Sequence, residues 1–217
     1  MTPSDLLTYT RQRYNAIGDT FFPDGEIYNM FWKAQLELAV EFNCIERVYE
    51  TPAVANQRAY DKPTNTIKIY RLTYDGMKLF PNDFLSDDAI TGQDEDESVT
   101  GVPQWYQQWG ESFYLRAVPG TSEEGKTLRL YTYDIPSVPT ANGTLDVPAV
   151  YHPFLADYAL WVMCMQDKNF AAADKLSIAW KENKRVVDQL ERQKNSSDMF
   201  ITVRDINTIG RDARFPR

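Results

Sequence analysis

Apolar residues recur at helical spacing at both ends of the chain and at strand spacing between them. At the amino terminus Thr2 and Asp5 form the two halves of a capping box, with Pro3 at the first helical position. Leu6, Leu7, Tyr14 and Ile17 continue as an apolar stripe that Gly18 is placed to end. A second helix is predicted from an Asp24 N-cap. There Ile27, Phe31, Ala34, Leu38 and Phe42 recur at spacings of three and four, and Tyr28, Trp32 and Ala39 widen the face. After Cys44 the period changes. Arg47–Thr51, Gln57–Asp61 and Thr66–Tyr74 read as strands, and Asp75-Gly76 is a hairpin turn into Met77–Leu79. Asn82–Leu85 reads as one short helical turn. Gln104–Trp109, Ser112–Val118 and Thr127–Asp134 form a second β block, punctuated by glycine and proline. The two blocks give roughly six short strands, enough for a small sandwich or barrel.

Helical spacing then returns. Pro153 sits at a helix start, with Phe154, Tyr158, Trp161 and Met165 on one face and Leu155, Ala159 and Val162 on another. A helix apolar nearly all round belongs in a core or a subunit interface, and Trp161 is expected to be buried there. Gln166–Asn169 makes a tight turn. A long amphipathic helix is predicted from Phe170 to Gln193, with Leu176, Trp180, Val187 and Leu190 inward. Lys181, Glu182, Lys184, Arg185 and Asp188 are expected to be solvated. Asn195-Ser196-Ser197 is a polar breaker cluster, and the residues beyond it read as an extended tail. That tail carries apolar Phe200, Ile201, Val203 and Ile206 and cationic Arg204, Arg211, Arg214 and Arg217. The expected fold is α+β: an α-helical bundle of amino- and carboxy-terminal helices, an inserted small β-sandwich or barrel, and the extended tail. The expected segments are 1–44 (first helices), 45–147 (β insert), 148–194 (helical hairpin) and 195–217 (tail).

Composition narrows the function. The chain has 217 residues, 43% of them hydrophobic, so it can bury a substantial core. A net charge of −8 disfavours a general basic surface for nucleic acid. Six of the 31 carboxylates fall in 87–101, which reads as a mobile acidic loop. Its Gln93–Ser98 run lacks the ligand spacing, central glycine and closing glutamate of a calcium loop. Cys44 and Cys164 are distant and read as reduced, buried thiols. Met1–Arg13 lacks the apolar stretch of a signal peptide. The longest uncharged apolar run, Tyr158–Met165, is far short of the roughly 20 residues of a membrane span. A soluble protein made in a cytoplasm, with no membrane association, is expected.

Candidate chemistry is sparse. The single histidine, His152, would have to serve any Ser-His-Asp or Cys-His site. No Gly-x-Ser-x-Gly elbow accompanies it, so it reads as a capping or packing residue at a helix start. One His and two distant Cys do not make a zinc site, and no phosphate-binding glycine loop is present, so no cofactor is expected. Among 31 carboxylates a converging pair would make a cell-wall glycan hydrolase, the rival reading from another class. Trp105, Tyr106, Trp109, Phe113 and Tyr114 suggest a stacking platform for sugars or bases. With no basic residue among them they read as β-core and interface instead.

Several segments in order resemble one family. Ile67–Leu79 is followed by Gly101-Val102-Pro103-Gln104-Trp105-Tyr106-Gln107-Gln108-Trp109-Gly110, then by Leu115-Arg116-Ala117-Val118-Pro119 and Leu128-Arg129-Leu130-Tyr131-Thr132-Tyr133. Val147-Pro148-Ala149-Val150-Tyr151-His152-Pro153-Phe154-Leu155 then leads toward Ala171-Ala172-Ala173. This succession resembles the β insert and helical hairpin of head–tail connector (adaptor) proteins of tailed bacteriophages. The resemblance implies a virion structural protein of the neck, not an enzyme. It implies a ring, a dodecamer, beneath the portal protein. That ring would join the portal to a tail tube or nozzle protein and line a channel through which viral DNA passes without specific binding. A tail-completion or terminator ring is the neighbouring alternative. A ring needs two different faces that meet. The surfaces expected to supply them are the tail, through Phe200, Ile201, Val203, Arg204, Ile206, Arg211, Arg214 and Arg217, and the outer side of the long helix near Ala179.

Overall fold

The structure, a computed structural model, describes residues 1–15, 21–82 and 99–209, with side chains of the last helix described as far as Lys194. The chain is α+β and divides into two compact units, residues 1–44 with 136–217 and residues 45–135.

The first unit is helical. Helix α1 spans Pro3–Tyr14. The Thr2 hydroxyl accepts from the Asp5 N–H (3.1 Å), and the Asp5 carboxylate accepts from the Thr2 N–H (2.9 Å), so two orphan donors are satisfied reciprocally. The helix ends earlier than Gly18. Asn15 takes the left-handed conformation (φ 60°) and donates to the Arg11 and Gln12 carbonyls, a role asparagine fills almost as well as glycine. Ile17 and Gly18 lie outside the described residues. Helix α2 spans Asp24–Phe42, with Pro23 as N-cap and Asp24 one position inside. The Asp24 carboxylate there faces the positive end of the helix dipole and binds Arg11 at 2.6 Å. Ile27, Phe31, Ala34 and Leu38 are buried, whereas Phe42 at the frayed end is half-buried.

Helix α3 spans His152–Gln166 and helix α4 Phe170–Ile209, joined through Lys168 (φ 59°). Helix α3 packs against α1, α2 and α4. Its buried side is Leu155, Ala156, Ala159, Leu160 and Met163, because small residues let neighbouring helices approach closely. The larger Phe154, Tyr158 and Trp161 are therefore only half-buried, and Met165 is exposed. On α4 the buried residues are Ala173, Trp180, Val187 and Glu191; Leu176 is half-buried and Leu190 exposed. Lys184 is not solvated, since its ammonium bridges Glu37 (2.9 Å) and Glu41 (2.6 Å) of α2.

The expected extended tail is corrected for its first part: α4 continues through Asn195–Ser197 to Ile209, 40 residues in all, about 60 Å at 1.5 Å per residue. Asn and Ser lower helix propensity by well under about 1 kcal/mol each, and no glycine or proline interrupts residues 154–209. Gly210 is the first strong breaker in the sequence; it and residues 211–217 lie outside the described residues.

The second unit holds seven strands: β1 Glu46–Pro52, β2 Ala59–Asp61, β3 Thr66–Tyr74, β4 Met77–Pro81, β5 Trp105–Trp109, β6 Ser112–Arg116 and β7 Thr127–Asp134. They form one sheet, ordered β1-β7-β3-β4-β5-β6-β2, all antiparallel except β4–β5. This is a single curled sheet with β1 and β2 at its edges, where a sandwich or closed barrel was expected. Curling lets one face enclose its own core of Ile69, Leu72, Tyr74, Leu79, Tyr106, Phe113, Leu128 and Leu130 without a second sheet. The β3–β4 turn is as expected, with positive φ at Asp75 (47°) and Gly76 (81°). Strand β6 stops at Arg116, short of Val118, because Ala117 turns left-handed (φ 54°). The expected turn at Asn82–Leu85 and the acidic loop 87–101 fall mostly outside the described residues; of the loop's end, Thr100 forms a bridge with Val118.

The two α3–α4 tryptophans give a direct test of this packing. Trp180→Ala is expected to lower unfolding free energy by about 3–5 kcal/mol, and Trp161→Ala by clearly less. Urea titration of both variants measures the order, and the reverse order would contradict the burial described.

Candidate functional site

Among the described residues three carboxylates are buried, and each accepts a hydrogen bond from a tyrosine hydroxyl. Asp134 (1% exposed) is bound by Tyr49, by the Thr132 hydroxyl at 2.7 Å and by the Thr66 hydroxyl at 3.4 Å, with Arg47 Nε at 3.7 Å. Glu123 accepts from Tyr74 (3.0 Å) and pairs with Lys126 (2.6 Å), and the lysine holds its carboxyl below the usual carboxylate range. Glu191 accepts from Tyr151 (2.7 Å); burial, then the bond to Glu191, pushes that phenol above its ordinary value. No two of these carboxylates share a bonding partner, and each is held in a structural pair. An open cavity of about 370 Å³ is lined by Pro81, Asn82, Tyr106 and Gln108, none of them ionised at neutral pH.

His152 is buried at the start of α3, where its Nε2 donates to the Val147 carbonyl (3.1 Å). Gln35 of α2 holds the same segment, its Oε1 accepting from the Asp146 (2.8 Å) and Val147 (3.3 Å) amides. His152 thus anchors the approach to α3, in line with a packing role. Helix α4 is held laterally as well. Asn183 donates to Asp157 (2.9 Å), Trp180 Nε1 to Glu37 (3.4 Å), and Lys184 bridges Glu37 and Glu41. Burial opposes the Lys184 charge, but the two glutamates outweigh it and hold the ammonium above the ordinary lysine value.

The helical unit also presents exposed apolar surface. On α4, Phe170, Ile178, Val186 and Leu190 are exposed, Ile178 to 60%. Ala179, expected on the outer side, is half-buried beside it. Phe200, Ile201, Val203, Arg204 and Ile206 stand on the helical end of α4, while Arg211, Arg214 and Arg217 lie outside the described residues.

The aromatic group of the β unit separates into two faces. Tyr106 and Phe113 are core, Phe113 stacking on Tyr60 at 5.5 Å. Trp105, Trp109 and Tyr114 alternate onto the opposite face, where Phe80 packs on Trp105 at 5.3 Å. Cations join them there. Register aligns Phe80, Trp105 and Arg116 across β4, β5 and β6, and Arg71 lies over the Tyr131 ring at 5.6 Å. Lys78 lies over Phe80 at 5.7 Å. Sequence reasoning missed these partners because they come from strands far apart in the chain; the only signal was the lack of acid in β3, β4, β5 and β6.

A family model described as SU10 adaptor protein matches residues 1–204, and the chain belongs to that family. No curated protein matches it. The family is one of phage structural adaptors, not an enzyme class, and membership implies a place in the virion and assembly with other virion proteins. No described helix is long and apolar enough to cross a membrane.

The His152 environment predicts a pH dependence. Burial, with the nearby amino terminus adding to it, holds this imidazole below the ordinary histidine value. The unfolded chain takes up a proton near pH 6.5 that the folded chain refuses, so stability falls as pH drops from 7 to 5. Asp5 and Glu123, both held low, lose their contribution only below about pH 4.5 and leave this window clear. Urea midpoints at pH 7 and pH 5 are expected to differ less in His152→Gln than in the parent chain; equal losses would refute the assignment.

Proposed function

We propose that this member of the SU10 adaptor protein family is a head–tail connector, a ring subunit that joins the portal protein to the tail and surrounds the path of the viral DNA. The family match over residues 1–204 carries the reading. The ring is proposed as a dodecamer, with the portal protein on one side and a tail tube or nozzle protein on the other. No cofactor takes part.

The helical unit offers what such docking requires. Helix α4 is fixed by part-buried polar contacts at Trp180, Asn183 and Lys184 and a buried one at Glu191, yet it leaves Ile178, Val186 and Leu190 uncovered. A rigid helix presenting aliphatic side chains meets a partner with little ordering cost. The end of α4 carries Phe200, Val203, Ile206 and Ile209 at intervals of three. Its helical backbone suits insertion into an apolar groove better than addition of a strand to a neighbouring sheet. Arg204, Arg211, Arg214 and Arg217 would orient that contact against acidic groups.

Purified chain mixed with portal and viewed by electron microscopy is expected to show a closed ring on the portal. Ile178→Glu with Val186→Glu should change unfolding free energy by no more than about 0.5 kcal/mol each yet weaken ring formation. Removal of residues 197–217 should lower the far-ultraviolet helix signal only by the share of the lost helical residues, keep the cooperative thermal unfolding of the folded unit and impair docking. Absence of any portal association by the intact chain would remove the connector reading.

A further inference from the structure

The exposed charge on the five inner strands of the β-sheet is of one sign. The five consecutive strands β7-β3-β4-β5-β6 contain five cations, Lys68, Arg71, Lys78, Arg116 and Arg129, and one carboxylate, Asp134, which is buried. The cations share a face. Arg71 and Lys68 are in register with Tyr131 and Tyr133, which lie on the same face of β7 as Arg129, two and four residues away. Arg129 is opposite Thr73, and Thr73 is opposite Lys78. Two residues beyond Lys78, Phe80 is opposite Trp105, which is opposite Arg116. The opposite face is the core. Among the described strands, exposed acid stands at the two edges of this array: Glu46 and Glu50 on β1, where Glu50 binds Arg129 at 2.7 Å, and Asp61 on β2. Between the cations stand Phe80 and Trp105, 49% and 42% exposed.

We propose that this face is an interface between copies of the chain, and that it receives an acidic surface of a second copy. With these five cations set aside the chain carries a charge of −13, so a second copy supplies the complement in excess. Cations at the centre of this face repel their own image, which disfavours a two-fold contact through the inner strands and favours a different surface. Such a heterologous contact closes into a ring or continues as a filament. Exposed Trp, Phe and Arg, with aliphatic Val48 at the margin, match the residues that anchor protein interfaces. The same −8 chain repels a polyanion as a whole, which weighs against nucleic acid as the occupant.

The inference rests on the ring reading above, and its test uses the chain alone, without portal, so that the two can fail separately. Sedimentation of the full chain at low ionic strength is expected to show species larger than a monomer that dissociate as salt is raised. Arg71→Glu with Lys78→Glu, both at exposed positions, should keep the parent's thermal unfolding and weaken self-association by about tenfold or more. Carbodiimide cross-linking of mixed isotope-labelled and unlabelled copies should join Lys68 or Lys78 to carboxylates of the other copy. The proposal is overturned by a parent chain that stays monomeric throughout, by a double variant that associates as the parent does, or by a single-stranded oligonucleotide bound through this face without self-association. Rings on the portal that are indifferent to the double variant would dispose of this interface and leave the connector reading standing.

Discussion

The pairing of the first and last strands of the β unit sets the terms for everything else. Strands β1 and β7 run antiparallel from Glu46↔Tyr133 to Pro52↔Thr127, and the Asp134 N–H donates to the Ile45 carbonyl at 3.0 Å. The chain therefore leaves the helical unit and returns to it at adjacent residues, so ninety-odd residues can be inserted without separating α2 from α3. Asp134 secures this closure. Its carboxylate gathers hydroxyls from Tyr49 on β1, Thr66 on β3 and Thr132 on β7, which ties together the three strands where the insert begins and ends. A buried carboxylate is unfavourable unless its lone pairs are met, so this one specifies a register: a slip of any of the three strands would leave charge stranded in the core.

The same device recurs where other elements need fixing. Glu123, in the turn before β7, receives Tyr74 from the end of β3, and Glu191 of α4 receives Tyr151 from the turn before α3. Tyrosine suits the task because its ring joins the apolar packing while its hydroxyl reaches the acid. In α4 the effect is to hold the helix by specific bonds on one side while aliphatic residues remain open on the other. Rigidity and exposed apolar surface together are unusual in an isolated chain and ordinary in a subunit whose partner arrives later.

What could be read from the sequence was what neighbouring residues decide. The Thr2–Asp5 capping box, the α2 stripe and the Asp75-Gly76 hairpin depend on contacts within a few positions, and each forms where expected. The end of α1 was misplaced because Asn15 stops the helix before the more obvious Gly18 is reached. The long helix was ended too early for a similar reason: Asn195-Ser196-Ser197 weakens a helix without forbidding it. Trp161 stands on the more apolar helix and Trp180 on an amphipathic one, yet Trp180 is buried and Trp161 half-buried, because the crossing of α3 with its neighbours decides which is covered. The strand order was beyond local reasoning altogether. The parallel β4–β5 pairing links strands separated by a long intervening segment, and it is this pairing that brings Phe80 beside Trp105.

Charge shows the same limit more sharply. A net −8 invites the view of an evenly acidic surface, yet the acid and base are sorted. Residues 83–98 hold seven carboxylates and no lysine or arginine, while the central strands hold five cations and a single buried acid. Sorting of this kind gives a subunit polarity: one surface attracts what another repels. In a proposed ring each copy would then have only one favourable way to meet the next, because the reversed pairing sets like charges together. The attraction also acts over about a Debye length, before shapes are in contact, so it selects the direction of assembly ahead of the short-range packing of Phe80, Trp105 and the α4 aliphatics that would hold it. The average charge of such a protein describes its solubility; the arrangement of that charge along the sheet describes how it would assemble.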